Sequence, residues 1–391
     1  MVTTRIHTNN FELSAILFAT LTVALAVFIG FVALNPIWSE LFPPFPILRV
    51  SPPITAPVDG PYYLQNAENG YKWDVKQPLS LWYHPLLPVL ISAMPDWFPA
   101  NIWFWLLSLA FAISSLVLTY CIITVYVGKV PPSFLLLVPL IPGGLEIATG
   151  NPEIPTLFFA SLLLLSVIKW HNWCVTASAS ILAILTKPNA LYLVPMLIVY
   201  AIAGYKSGDK KLFTHSIAGI ALVILGWFAW VLFVDWKTGE WGAYWQARGG
   251  FAKYVAGDAA SYFLELAKSF SYGVDLRDRV RYSTALIIPI VNLWVIASAP
   301  FSHNTHRYAL TAGNLAMLAL VFWQGNPNKV IVYTTTLPGY FATYVVFTHA
   351  LMKIRTLRNR FHYVGVYTVY FSYLVLMLTV YVFGTPLGWY Y

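Results

Sequence analysis

The sequence predicts an all-α, polytopic membrane protein, with about eleven transmembrane helices and two large external loops carrying amphipathic helices. Three observations predict it. Of 391 residues, 59% are apolar and only 10% charged, whereas a soluble domain carries about 25% charge. Apolar runs of bilayer-spanning length recur from residue 12 to residue 388, and a helix needs about 20 residues to cross the hydrocarbon core. The basic residues also sort by loop in the way membrane topology requires.

The first run, 12–34, follows a short start containing Arg5 and lacks a small-residue cleavage site, so it reads as a retained helix rather than a signal peptide. A first large loop then covers 35–101. It is Pro-rich from Pro43 to Pro61 and polar from Asp59 to Gln77. Its 79–95 stretch is apolar but broken by Pro85 and Pro88, which predicts an interfacial or re-entrant helix. Further spans are predicted at 102–126, 131–148, 154–168, 172–186, 190–204 and 213–234. Those at 131–148 and 172–186 are short enough to be tilted, broken or partly re-entrant. A second large loop, 235–282, mixes Trp, Tyr, Lys and Asp as surface-lying amphipathic helices do. Spans at 283–299, 308–323, 331–350 and 364–386 complete the chain. No long polar segment interrupts this series, so 1–391 reads as a single transmembrane domain. Cys121 and Cys174 both sit in apolar stretches, which argues against a structural disulfide or zinc site.

With the N-terminus in the cytosol, the inner side holds eleven basic and two acidic residues, and the outer side twelve basic and thirteen acidic. The net charge of +8 is therefore a topology signal and a contact with membrane lipids, not a nucleic-acid footprint. Compact loops favour a prokaryotic plasma membrane over an endoplasmic reticulum.

Chemistry-bearing residues collect on the outer side. The first segment is Val58-Asp59-Gly60-Pro61-Tyr62-Tyr63-Leu64, continuing to Gly70-Tyr71 and then Trp82-Tyr83-His84-Pro85. A carboxylate at an interface is partly desolvated, which raises its pKa and improves it as a base. Asp59 also suits a simple turn before Gly60-Pro61. The second segment is Gly150-Asn151-Pro152-Glu153, with Glu146 in the apolar run before it. An ionisable group at membrane depth is a functional candidate. Glu146 or Glu153 would bind a metal or assist Asp59, or simply face water at the interface. The third is Thr186-Lys187-Pro188-Asn189. Lys187 is basic on the outer side, where a cation suits a phosphate group, although a snorkelling lysine has the same placement. The fourth is Glu240-Trp241-Gly242-Ala243-Tyr244-Trp245-Gln246-Ala247-Arg248. Gln246 and Arg248 are candidates for contact with a polar or phosphate-bearing substrate, and the tryptophans for interfacial anchors. The fifth is Asn326-Pro327-Asn328-Lys329, whose lysine is a second phosphate candidate or a helix-end cation. His84 is a candidate acceptor contact or a structural histidine.

In order and sidedness these segments resemble the GT-C glycosyltransferases, nearest to the PIG-V-like mannosyltransferases and their prokaryotic relatives. The resemblance implies a catalytic base at Asp59, with substrate contacts among Tyr63, His84, Glu146, Glu153, Lys187, Gln246, Arg248 and Lys329. It implies a polyprenyl-phosphate-linked sugar as donor, mannose favoured. The acceptor would be a hydroxyl on a lipid, glycan or protein, and transfer would occur on the extracytoplasmic face with inversion. A divalent metal is compatible with the pattern but not required by it. One departure is that Asp59 is followed by Gly60, so the paired-acid signature of some members is absent. The rival expectation is a transporter or lipid-linked-sugar flippase. That would call for polar groups along a path through the bundle near the midplane.

Overall fold

The computed structural model describes residues 60–71, 83–95, 97, 100–128, 153–247, 292–293, 296–297 and 301–323. Among them the regular structure is entirely helical. The helices are α1 (Gly60–Asn69), α2 (Leu86–Ser92), α3 (Ala100–Val127), α4 (Glu153–Leu165), α5 (Trp173–Thr186), α6 (Leu193–Ser207), α7 (Lys210–Thr238) and α8 (Asn304–Trp323). A π-helical turn, Ser166–Trp170, extends α4, and a 3₁₀ turn, Pro188–Tyr192, leads into α6. The expected spans at 12–34, 131–148, 331–350 and 364–386 lie outside the described residues, as do most of 283–299 and most of both large loops.

Among the described residues three stretches are long and apolar enough to cross a membrane: Leu106–Val127, Pro188–Ser207 and Lys210–Thr238. The 29 residues of α7 rise about 43 Å at about 1.5 Å per residue, well beyond a hydrocarbon core of about 30 Å. Helix α5 has 14 residues, or about 21 Å, so it falls short of a crossing on its own. It is continuous from end to end, and it is short because its neighbours cap and stop it.

Those stops are written in the sequence. Asn172 caps α5 by accepting a hydrogen bond from the Val175 N–H at 3.1 Å, and Asp209 caps α7 by accepting from the Leu212 N–H at 3.0 Å; each satisfies one orphan donor of a first turn. Lys187 precedes a proline, and steric exclusion pushes such a residue out of the helical region. Its backbone is extended, at φ −158° and ψ 137°, and α5 ends there. Between α6 and α7 the chain turns at Gly208, with φ 72° in the left-handed region, and then at Asp209. The turn is so tight that a Cβ on Gly204 would lie 2.6 Å from the Phe213 backbone nitrogen.

Side-chain contacts give the helix directions. His215 and Trp173 stack at 4.2 Å where α7 and α5 begin, and Gly226 meets Ile184 further along both, so these two helices run parallel. Helix α6 runs antiparallel to α7 and packs on it, with Gly204 against Phe213 and Gly219 against Leu197. Helix α3 begins near α2, where the Trp103 indole N–H donates to the Leu90 carbonyl at 2.8 Å. It ends beside the middle of α6, where the Tyr200 hydroxyl donates to the Tyr126 hydroxyl at 2.9 Å. The core between these helices is aliphatic, with Leu116, Ile123, Leu163, Leu193 and Leu310 fully buried. Close approach at glycines brings the helices within van der Waals reach; a Cβ on Gly226 would sit 2.7 Å from Ile184 Cγ2.

The bundle therefore has two distinct ends. One carries Lys169, Lys206, Lys210 and Lys211 at or beside helix termini. The other gathers α1, α2, the close of α5 and the close of α7, and is rich in aromatic rings.

Candidate functional site

The aromatic end is organised around His84. A helical carbonyl normally accepts from the N–H four residues on. For Ile184 that residue is Pro188, which has no N–H. The vacancy is filled from another part of the chain: His84 Nδ1 donates to the Ile184 carbonyl. Because a carbonyl only accepts, this bond fixes the neutral tautomer with the proton on Nδ1, leaving a lone pair on Nε2. His84 is 1% exposed, and Nε2 has no hydrogen-bond partner.

Burial pushes the imidazole pKa down to about 3. The Ile184 hydrogen bond opposes that shift, and the positive charge of Lys187 adds to it. His84 is therefore neutral at every physiological pH, and Nε2 is available as an acceptor.

Aromatic rings enclose it. Trp230, from α7, lies at 5.6 Å between ring centroids, and Tyr244 lies at 6.3 Å, edge-on. Tyr71, just past α1, packs edge-on against Trp230 at 5.1 Å, and its hydroxyl donates to the Tyr83 carbonyl at 2.9 Å. Burial raises the Tyr71 pKa far above its usual value, so the phenol stays protonated. Trp230 is 3% exposed, and its indole N–H, like that of Trp227 one turn earlier, has no partner.

A buried carboxylate frames the other side. Asp235, in the last turn of α7, accepts from the Gly242 N–H at 3.1 Å and the Tyr244 N–H at 3.4 Å. It thereby fixes the Glu240–Gly242 turn and holds Tyr244 against His84.

The structure unites some of the residues predicted from sequence and leaves others apart. His84 and Lys187 belong to one cluster. Tyr63 is near it but buried, packed edge-on against Tyr83 at 5.1 Å between centroids, so its ring supports the His84 loop rather than lining an open surface. Gln246 is exposed and donates from Nε2 to Glu240 Oε1 at 3.0 Å. Trp241, 83% exposed, and Trp245, 48% exposed, point outward as interfacial anchors do. Glu153 is the first residue of α4. Asp59, Glu146, Arg248 and Lys329 lie outside the described residues. Among the described residues no three His, Cys, Asp or Glu side chains meet as a metal site.

Sequence reasoning missed Trp230, Tyr244 and Asp235 as members of this cluster. For Asp235 a signal exists, since it is a lone carboxylate closing the apolar run 213–234. For the His84–Ile184 bond half a signal exists: Pro188 announces an orphaned carbonyl, but nothing in the sequence says which donor reaches it.

No family model matches the chain, and no curated protein matches it.

Proposed function

We propose that the chain is an integral membrane glycosyltransferase of GT-C type, which moves a sugar, mannose favoured, from a polyprenyl-phosphate donor to a hydroxyl acceptor. One observation carries the reading. Three segments far apart in sequence, around Tyr71–His84, Lys187 and Trp230–Tyr244, meet at one end of the helical bundle. They supply what the reaction needs. Lys187 is a cation for a leaving phosphate. The rings of Trp230, Tyr71 and Tyr244 wall the cluster off as an apolar enclosure. Buried, unpartnered hydrogen-bonding atoms await polar groups.

In this reaction the acceptor hydroxyl gives its proton to the Asp59 carboxylate as its oxygen bonds to the anomeric carbon. The bond from that carbon to the phosphate oxygen breaks, and its electron pair leaves with the lipid phosphate, whose charge Lys187 offsets. A single displacement of this kind inverts the configuration. Helix α1 starts one residue after Asp59, and its Tyr63 packs on Tyr83, the neighbour of His84. The unpartnered ring nitrogens His84 Nε2, Trp227 Nε1 and Trp230 Nε1 gather at this end of the bundle.

The test is transfer by the purified protein from a panel of polyprenyl-phosphate sugars into a membrane lipid extract. The expected result is transfer by wild type and its loss, by a factor of about 10² to 10⁴, in folded Asp59→Ala and Asp59→Asn. Wild-type transfer that neither change affects would remove Asp59 from the mechanism.

A further inference from the structure

His84 Nε2 and Trp230 Nε1 are buried, belong to rings whose centroids lie 5.6 Å apart, and are opposite in kind. The first is an acceptor because the Ile184 carbonyl holds the proton on Nδ1. The second can only donate. Neither has a partner, and leaving each unmade costs about 1–3 kcal/mol. A fold that stabilised itself alone would gain by placing apolar groups here. The pair is matched by a hydroxyl-bearing ring, since a hydroxyl donates through its hydrogen and accepts through its oxygen. The setting adds two further preferences. The rings of Trp230, Tyr71 and Tyr244 surround the pair and give it an apolar setting, in which a hydrogen bond gains strength. Lys187 lies three residues beyond Ile184, the carbonyl that His84 holds, so a phosphate on that cation keeps its attached sugar near the imidazole.

We propose that His84 is a positioning residue for the donor: its Nε2 accepts a hydrogen bond from a hydroxyl of the phosphate-linked sugar, while the Trp230 indole N–H donates to an oxygen of the same ring. This rests on the transferase reading and assigns the sugar-recognising half of its site. Phosphate recognition falls to Lys187, and sugar recognition to His84 and Trp230.

The informative substitution is His84→Asn. The Asn side-chain amide nitrogen is attached to Cγ, as Nδ1 is in histidine, so it keeps the donor to the Ile184 carbonyl while Nε2 disappears. Trp230→Phe likewise keeps an aromatic ring and removes the N–H, along with part of the side chain's volume. Binding of polyprenyl-phosphate mannose, and of the same polyprenyl phosphate without sugar, is measured on the full chain in detergent by tryptophan fluorescence. Thermal midpoints confirm that each variant is folded. Wild type is expected to prefer the mannosylated lipid. His84→Asn should lose about tenfold of that preference and Trp230→Phe a similar factor, with affinity for the sugar-free lipid phosphate unchanged. Lys187→Ala should weaken both ligands together.

If His84→Asn and Trp230→Phe keep the wild-type preference, the two ring nitrogens bind ordered water only. The inference is then overturned while the transferase reading stands. If wild type itself does not distinguish the two lipids, the donor assignment fails and this inference falls with it.

Discussion

The two ends of the bundle treat buried polar groups differently. At the lysine-rich end they are chained together. Ser166 Oγ donates to the Asn172 carbonyl at 2.8 Å and shares a bond with Thr176 Oγ1 at 2.8 Å. Thr176 Oγ1 in turn meets His215 Nδ1 at 2.9 Å. Nearby, the Tyr200 hydroxyl bridges Tyr126 at 2.9 Å and His306 Nδ1 at 3.0 Å, and His306 stacks on Tyr126 at 4.6 Å. One ring nitrogen, His171 Nδ1, is left over. At the aromatic end three ring nitrogens stand unpartnered, His84 Nε2 and the indole nitrogens of Trp227 and Trp230. Satisfied networks rigidify a fold; unsatisfied buried atoms cost stability and are retained where a ligand completes them. The lysine-rich end holds the helices in register, and the aromatic end is where the proposed function places the donor.

The comparison yields graded expectations for stability, each read from thermal or denaturant unfolding in detergent. The largest effect belongs to His84→Ala. It removes a buried ring and strands the Ile184 carbonyl, which should cost about 3–4 kcal/mol; His84→Asn, which keeps that bond, should cost less than half as much. Equal losses in the two variants would show that the bond to Ile184 contributes little. Next comes Gly204→Ala at the opposite end. The added Cβ would meet backbone at 2.6 Å, where no side chain can swing aside, and about 3 kcal/mol should be lost.

Acid should separate the ends as well. Burial holds His84 near a pKa of about 3, below its unfolded value of about 6.5. Below that unfolded value the unfolded chain binds a proton that the folded chain does not. The contribution of His84 to stability is therefore complete above about pH 6.5 and declines as pH falls toward 3. At pH 5 the loss should be about 2 kcal/mol relative to neutral pH, and His84→Asn should abolish it. The smallest effect is Asp209→Ala, which removes the N-cap of α7 and should cost about 1 kcal/mol. His84→Asn is expected to leave that value unchanged, because distant sites act additively.

Much of this fold is legible in the sequence because its elements obey local rules. The proline after Lys187, the Asn172 and Asp209 caps and the Gly208 turn fix where helices stop, and the expected spans at 102–126 and 213–234 match α3 and α7 to within four residues at each end. What the sequence conceals is non-local. The residues that meet at His84 come from positions 71, 84, 184, 230 and 244, and no periodicity links them. Tyr63 and Gln246 illustrate the converse. Both residue types suit sugar contact, yet Tyr63 is buried against Tyr83 and Gln246 is engaged with Glu240. Residue type identifies what a side chain is able to do, while packing decides whether it remains available.

The most direct test of the central claim, that the aromatic end does the work, compares one cation from each end in the same assay. Transfer from polyprenyl-phosphate mannose is measured for Lys187→Ala and for the double variant Lys210→Ala, Lys211→Ala, with both variants confirmed as folded. The account predicts that Lys187→Ala loses at least about tenfold of wild-type transfer, the scale of one charge-assisted phosphate contact, and that the double variant stays within about twofold. Equal losses, or a loss confined to the lysine-rich end, would contradict it.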